Sequence, residues 1–378
     1  MLLCGGNKGK KALTFYLYGG KVTIRQPGHR SPALLFCIPA SPDYGARKIN
    51  RNGSVRLKEI IKKISDVGII PVVKLKDEKD ALPLARALCD GGLPAAEVTF
   101  RTDAAENVIK AMAEAFPDML VGAGTVLTVE QAKRAKAAGA KFMVSPGFNS
   151  EVVSWCISEG FPVIPGVCTP SDVEKALSMG LEYLKFFPAE ACGGLSVLKA
   201  MSGPYGNVRF LPTGGINEKN VTEYLSFPKV FACGGSFMVS EKLIASGDFD
   251  SIKEHTARVA SLMLGYRLAH IGINCPDSAG ASAAADFICA AFGFDRTVCG
   301  DVSVFSGDFE FMNDPGRGTM GHIAIGTNSV DRAVFSLGRK GVKFDMSSAK
   351  YSSDGSLEFI YIADEVCGFA IHLVKNPV

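Results

Sequence analysis

From residue 57 onward, short apolar runs alternate with longer stretches in which apolar residues recur every three or four positions. The short runs are GIIPVVKL, AAEVTF, MLVGAGTV, KFMVSPG, FPVIPGV, YLKFFPA, VRFLPTGG and KVFACGG, rich in β-branched and aromatic residues. Between them lie helical stretches such as DALPLARALCDGG, DAAENVIKAMAEAF, TVEQAKRAKAAG, NSEVVSWCISEG and SDVEKALSMG. Strands that are apolar throughout must be covered on both faces, which a parallel sheet flanked by helices achieves. Eight such strand–helix units predict an α/β fold, a (β/α)8 TIM barrel spanning 57–264.

Near residue 266 the pattern changes. RLAHIGINC, a helical SAAADFICAAFGF and strands ending in FEFMN are followed by GHIAIG, a helical SVDRAVFSLGRKG and the strands LEFIYIAD and GFAIHLV. The order of strand, helix and strands occurs twice, so 266–378 is predicted as a smaller α+β domain of two βαβββ modules. Residues 1–56 follow neither period. They hold two Gly-Gly pairs and Pro27, Pro32, Pro39 and Pro42, which predicts a poorly structured extension. A natural start near Val55 or Leu57, with the extension a gene-model artefact, is the plainer expectation.

Composition narrows the classes. With 378 residues, 47% hydrophobic and 21% charged, the chain can build more than one core. The net charge of +3 hides an asymmetry, because the first 53 residues carry nine basic side chains against Asp43 alone. The remainder is therefore net acidic and offers no nucleic-acid-binding surface. No apolar run approaches the roughly 20 residues of a bilayer span, so no membrane role is expected. Eleven cysteines are scattered without a CxxC pair, several in apolar contexts such as Cys168, Cys233 and Cys289. They predict reduced thiols and a cytoplasmic location.

The candidate chemistry starts from EYLKFFPAEA at 182–191, which sets Lys185 inside an apolar run. A buried amine is costly unless it is paired or loses its charge. Alternation along the strand turns Tyr183, Lys185 and Phe187 inward, and alternation along AAEVTFRT turns Glu97, Thr99 and Arg101 inward. Burial among aromatic rings, with Arg101 nearby, would disfavour the ammonium form and free a nucleophile. The other reading is a Lys185–Glu97 ion pair that only plugs the barrel. Glycine-rich strand ends favour a ligand: GAGT at 122–125, TGGI at 213–216 and CGGS at 233–236. The last two follow strands seven and eight, where barrels often hold phosphate on backbone N–H groups. SPG at 145–147 and PGVCTP at 165–170 could wall a small pocket or serve only as turns.

GLPAAEVTFRT, VGAGTVLT, SPGF, VIPGVCTP, KFFPAE, RFLPTGGI and CGGSFMV, in that order over roughly 57–262, resemble the 2-dehydro-3-deoxy-6-phosphogluconate (KDPG) and 4-hydroxy-2-oxoglutarate (KHG) aldolase family. The resemblance implies a homotrimeric class I aldolase that acts on a small 2-keto-3-deoxy sugar acid and needs no metal. It implies Lys185 as the Schiff-base lysine and Glu97 as general acid/base. Arg101 and Thr125 would hold the substrate carboxylate, and Pro146 and Phe187 would wall the pyruvate pocket. Gly214, Gly215, Gly235 and Ser236 would form the phosphate end.

The tail holds three of the five histidines, His270, His322 and His372, each on a predicted strand. With Glu310, each half offers one donor on its first strand and one on its last. The pattern resembles the vicinal-oxygen-chelate superfamily of glyoxalases and dioxygenases, which implies a divalent metal. His372 stands where that superfamily commonly has glutamate. Imidazole and carboxylate donors suit Zn, Ni, Fe or Mn. A metal-free interaction or small-molecule-binding module is the other reading of the tail, as a non-catalytic phosphate-binding barrel is of the first domain.

Overall fold

The computed structural model describes residues 12–17, 20–25 and 51–377. In the N-terminal segment, where little structure is predicted, β1 (Ala12–Leu17) and β2 (Gly20–Arg25) form an antiparallel hairpin with Ala12 opposite Arg25 and Leu17 opposite Gly20. The β-branched and aromatic content of ALTFYL and GKVTIR accounts for it. The rest of that extension lies outside the described residues, up to a helix at Arg51–Val67 that starts before residue 57. Ile60, Ile61, Ile64 and Val67 form its buried stripe.

The parallel strands follow. They are β3 (Ile69–Val73), β4 (Ala95–Thr99), β5 (Leu120–Gly124), β6 (Met143–Val144), β7 (Val163–Ile164), β8 (Gly166–Val167), β9 (Tyr183–Phe186), β10 (Arg209–Pro212) and β11 (Cys233–Gly235). The hydrogen-bonded order is β11-β3-β4-β5-β6-β7 in one sheet and β10-β9-β8 in the other. Parallel bridges Thr213–Gly234 and Phe210–Val230 relate β10 to β11. The result is a curled α/β, barrel-like fold. The fifth predicted strand is split at Pro165, which has no N–H to donate, so β7 pairs with β6 while β8 pairs with β9.

A helix at Phe249–Leu264 ends on Gly265 in a left-handed conformation (φ 57), and a β-rich part begins. Its strands are β12 (Arg267–Asn274), β13 (Arg296–Cys299), β14 (Ser303–Ser306), β15 (Phe309–Met312), β16 (Gly321–Thr327), β17 (Phe344–Tyr351), β18 (Leu357–Ile362) and β19 (Phe369–Lys375). They form one sheet in the order β13-β14-β15-β12-β16-β19-β18-β17. Helices Ser278–Phe292 and Val330–Arg339 follow β12 and β16. The order is symmetric about the β12–β16 seam. β12 runs parallel to β15 with Gly272 opposite Glu310, and β16 runs parallel to β19 with Ala324 opposite His372. Across the seam, His270 faces Ala324 and Gly272 faces His322. The duplicated pattern of the sequence is thus a duplicated register.

The halves of the sheet pack differently. Val330, Ala333, Leu357, Ile360 and Leu373 join the main core with the barrel strands, whereas the first module keeps a small core of Cys275, Ala281, Ala285, Val304 and Phe311. Arg332, 8% exposed, fastens the second module. Its Nε donates to the Ser65 carbonyl at 3.1 Å and its Nη2 to the Phe231 carbonyl at 3.3 Å. Gly68 (φ 75) leaves it room, since a Cβ there would lie 2.7 Å from Arg332 Nε.

Candidate active site

Lys185 on β9 is in register with Gly166 of β8 and Leu211 of β10, and Glu97 on β4 with Val72 of β3 and Gly122 of β5. Both side chains point into the barrel. Lys185 Nζ donates to Glu97 Oε1 at 3.0 Å and lies 3.4 Å from Oε2. The residues are 5% and 1% exposed, so each polar group has the other as its partner in place of water. The Phe187 ring centre is 5.3 Å from the same nitrogen. Gly124 on the neighbouring strand is required here, because a Cβ at that position would collide with the Glu97 carboxylate.

Arg101 does not continue the inward face of β4. The strand stops at Thr99, whose hydroxyl donates to the Val73 carbonyl at 3.0 Å, and Arg101 lies beyond it in a turn, exposed at the mouth. There its Nε donates to Thr125 Oγ1 at 3.2 Å. Thr125 has φ 54, a conformation that β-branched residues avoid, so backbone strain is held at the mouth beside the site. Pro146 is half-buried, and its carbonyl occupies the space a side chain at Gly166 would need, so the SPG and PGV turns touch. Gly214 (φ 97) and Gly215 (φ 83) turn against Pro188 and Glu190, while Gly235 is buried and Ser236 exposed. These ends of β10 and β11 are neighbours.

Two features escape a reading of the sequence. Thr213 is 5% exposed and its Oγ1 has no hydrogen-bond partner among the described residues, although its amide donates to the Phe186 carbonyl at 2.9 Å, one residue beyond Lys185. The TGGI motif that contains it draws notice only to its glycines. One pair of cysteines also stands together: the sulfurs of Cys168 and Cys192 meet, with Cα atoms 6.9 Å apart. They follow the adjacent strands β8 and β9, a proximity that 24 residues of separation conceals. Cys156 and Cys233 do match buried thiols, and burial pushes both up to about 12. Cys299 and Cys367 are exposed. Lys74 is paired with Glu241 at 3.1 Å near the mouth.

The four tail residues also come together. His270 Nε2 lies 3.1 Å from His322 Nε2, and Glu310 Oε2 lies 3.2 and 3.0 Å from those two nitrogens. Donor atoms of His270, His322 and His372 all fall within 4.8 Å of one another. Gly272 makes the cluster possible, since a Cβ there would strike the His322 ring. Burial, with the His322 and His270 rings close by, pushes His372 down to about 3, so it is neutral, and its Nδ1 has no partner among the described residues. Burial alone would raise Glu310, but hydrogen bonds from His270, His322 and Ser303 outweigh it and hold the carboxyl well below its usual range.

A buried amine and carboxylate inside a parallel α/β barrel define the class to which this part of the chain belongs, enzymes that work from the C-terminal ends of barrel strands. Residues 60–255 match the model of the KDPG and KHG aldolase family, and the chain belongs to that family. It is 49% identical over 207 residues to the 2-dehydro-3-deoxy-phosphogluconate aldolase of Treponema pallidum, covering 54% of this chain and 99% of that protein. It is 41% identical over 184 residues to the KHG/KDPG aldolase of Escherichia coli K12, covering 49% of this chain and 86% of that one. Among solved structures, the KDPG aldolase of Legionella pneumophila, with pyruvate captured at low pH as a covalent carbinolamine, superposes with a TM-score of 0.51 at 43% identity, covering 53% of this chain and 97% of that one.

Proposed function

We propose that residues 57–264 form a class I aldolase domain, read as a closed (β/α)8 ring, that cleaves KDPG to pyruvate and glyceraldehyde 3-phosphate, KHG to pyruvate and glyoxylate, or both. The observation that carries this is the buried contact of Lys185 with Glu97 at 3.0 Å. Lys185 Nζ attacks the C2 ketone to give a carbinolamine. Glu97 is placed to move the protons that turn the carbinolamine hydroxyl into departing water. The protonated imine then accepts the C3–C4 bonding pair as Glu97, through a water, removes the C4 hydroxyl proton. The aldehyde leaves, an enamine remains, and protonation at C3 followed by hydrolysis returns pyruvate and the amine. The lysine is itself the electron sink. Arg101 with Thr125 would hold the substrate carboxylate, whose planar fork suits a guanidinium. Pro146 and Phe187 would wall the pyruvyl end. Gly214, Gly215, Gly235 and Ser236 would receive the phosphate, and the unpartnered Thr213 hydroxyl is available to the reacting oxygens. A cytoplasmic homotrimer is the assembly proposed.

Borohydride reduction in the presence of pyruvate tests this reading. A stable added mass on Lys185, absent from Lys185→Ala, is the expected result; an unmodified Lys185 refutes imine catalysis.

The tail, 266–378, supports a second reading as a metal-binding domain of the vicinal-oxygen-chelate kind. Donor separations of 3.0–3.2 Å between His270, His322 and Glu310 match the edge of a coordination polyhedron with bonds of roughly 2.0–2.1 Å. The His372 Nδ1, buried and without a hydrogen-bond partner among the described residues, adds a further donor. These four residues fit a divalent Zn, Ni, Fe or Mn ion, which when bound would act as a Lewis acid toward oxygen ligands. Metal content of the purified protein, compared with His270→Ala and His322→Ala, tests it. A metal-free tail would favour a plain binding module.

A further inference from the structure

The departure of the duplicated sheet from its own symmetry marks one side of the histidine cluster. Register makes Phe305 the counterpart of Tyr361, since Phe305 lies opposite Glu310 and Tyr361 opposite His372. Two residues earlier on each strand, Ser303 donates to Glu310 at 2.6 Å, while Phe359 stacks on His372 with ring centres 4.5 Å apart. Among the described residues, only the second module's rings carry cations. Lys350 Nζ lies 4.8 Å over Phe359, its register partner on β17, and Arg317 Cζ lies 4.6 Å over Tyr361, whose own ring is 5.1 Å from His372. Among the described residues no cation lies over Phe305.

The arginine is pre-positioned. Asp345 accepts from its Nη1 at 2.6 Å, and the loop that carries it is pinned where Asn274 Nδ2 donates to the Gly318 carbonyl at 2.8 Å and Gly316 N donates to Asn274 Oδ1 at 2.9 Å. Lys350 has no carboxylate partner among the described residues and is exposed. Lys350 and Arg317 each lie one aromatic ring from the same histidine; Asp345 shares the charge of Arg317, so the attraction of this side for an anion rests chiefly on Lys350.

We infer that the tail binds a small two-ended acid: oxygen donors at one end meet the ion held by His270, His322, His372 and Glu310, and a phosphate or carboxylate at the other meets Lys350 and Arg317. The inference rests on the metal reading of the cluster. It makes the ligand the same chemical class as the barrel's substrates, short oxygenated acids with a charged far end.

The test uses the full chain loaded with Mn2+ and follows phosphorus and proton relaxation of 3-phosphoglycerate, glycerate and inorganic phosphate. Paramagnetic relaxation reports only ligand close to the ion, so acid held elsewhere on the chain adds a background that tail variants leave unchanged. Wild type should relax 3-phosphoglycerate strongly, with about tenfold weaker binding of glycerate and of phosphate, each of which lacks one end. Lys350→Ala with Arg317→Ala should weaken 3-phosphoglycerate about tenfold while Mn2+ stoichiometry is unchanged, which also reports an intact fold. Glycerate binding as tightly as 3-phosphoglycerate would identify a carboxylate as the far-end anion only if the double variant weakens it equally. Relaxation indifferent to both substitutions, or absent with one Mn2+ bound per chain, overturns the inference. Failure to bind Mn2+ at all removes the metal reading and the inference with it.

Discussion

The barrel and the tail build their polar centres in opposite ways. The barrel draws Lys185 and Glu97 from strands β9 and β4, which share no local pattern, and each strand end contributes a different chemical group. The tail gathers four polar side chains from two copies of one register, His270 with Glu310 and His322 with His372. A curled parallel sheet can place unlike groups around one axis. A duplicated sheet instead places like groups about a seam, which suits an ion that accepts several similar donors. The difference teaches where each centre is vulnerable: the barrel to loss of one irreplaceable atom, the tail to loss of geometry.

The sharpest way to break that comparison is Lys185→Ala. It should lower aldol cleavage on the order of 10⁵-fold in a pyruvate-release assay, because the proposed mechanism forms its imine on Lys185. Metal binding by the tail should be unchanged. Glu97→Gln should slow turnover by about two to four powers of ten while borohydride still traps pyruvate on Lys185. Gly124→Ala, which displaces the Glu97 carboxylate without touching its chemistry, should cost roughly 10²-fold, read in kcat more than in thermal stability. Arg332→Met should leave the Ser65 and Phe231 carbonyls unpaired and destabilise the chain by about 2–4 kcal/mol in denaturant titration. A chelator should have the smallest effect on catalysis, none in the cleavage assay, while lowering the tail's thermal transition by the linkage of a bound ion. Cleavage that falls with chelation would join the two centres in one reaction and end the comparison.

The alternation of apolar runs was legible because parallel strands are buried on both faces, and inward alternation correctly paired Lys185 with Glu97. It failed at Arg101, because β4 ends at Thr99 and period-two counting has no meaning past a strand's end. The break at Pro165 was visible as a residue, but only strand pairing reveals that its two sides serve different neighbours. In the tail the four residues that cluster could be named from RLAHIGINC, FEFMN, GHIAIG and GFAIHLV, whereas the seam symmetry needs the strand order. Thr213 was hidden behind its glycines. Contacts such as Arg332 with Ser65, 267 residues apart, have no local signature at all.

Arg332 and the hollow at Gly68 have a consequence for anyone wishing to excise the aldolase. Cutting the chain after Gly265 would open that hollow to water and strip the main core of Val330, Ala333, Leu357, Ile360 and Leu373. Gly68 sits at φ 75, so a larger residue there could not simply fill the gap. A free-standing version would need fresh polar surface on the Arg51–Val67 helix and on the turn ahead of β11.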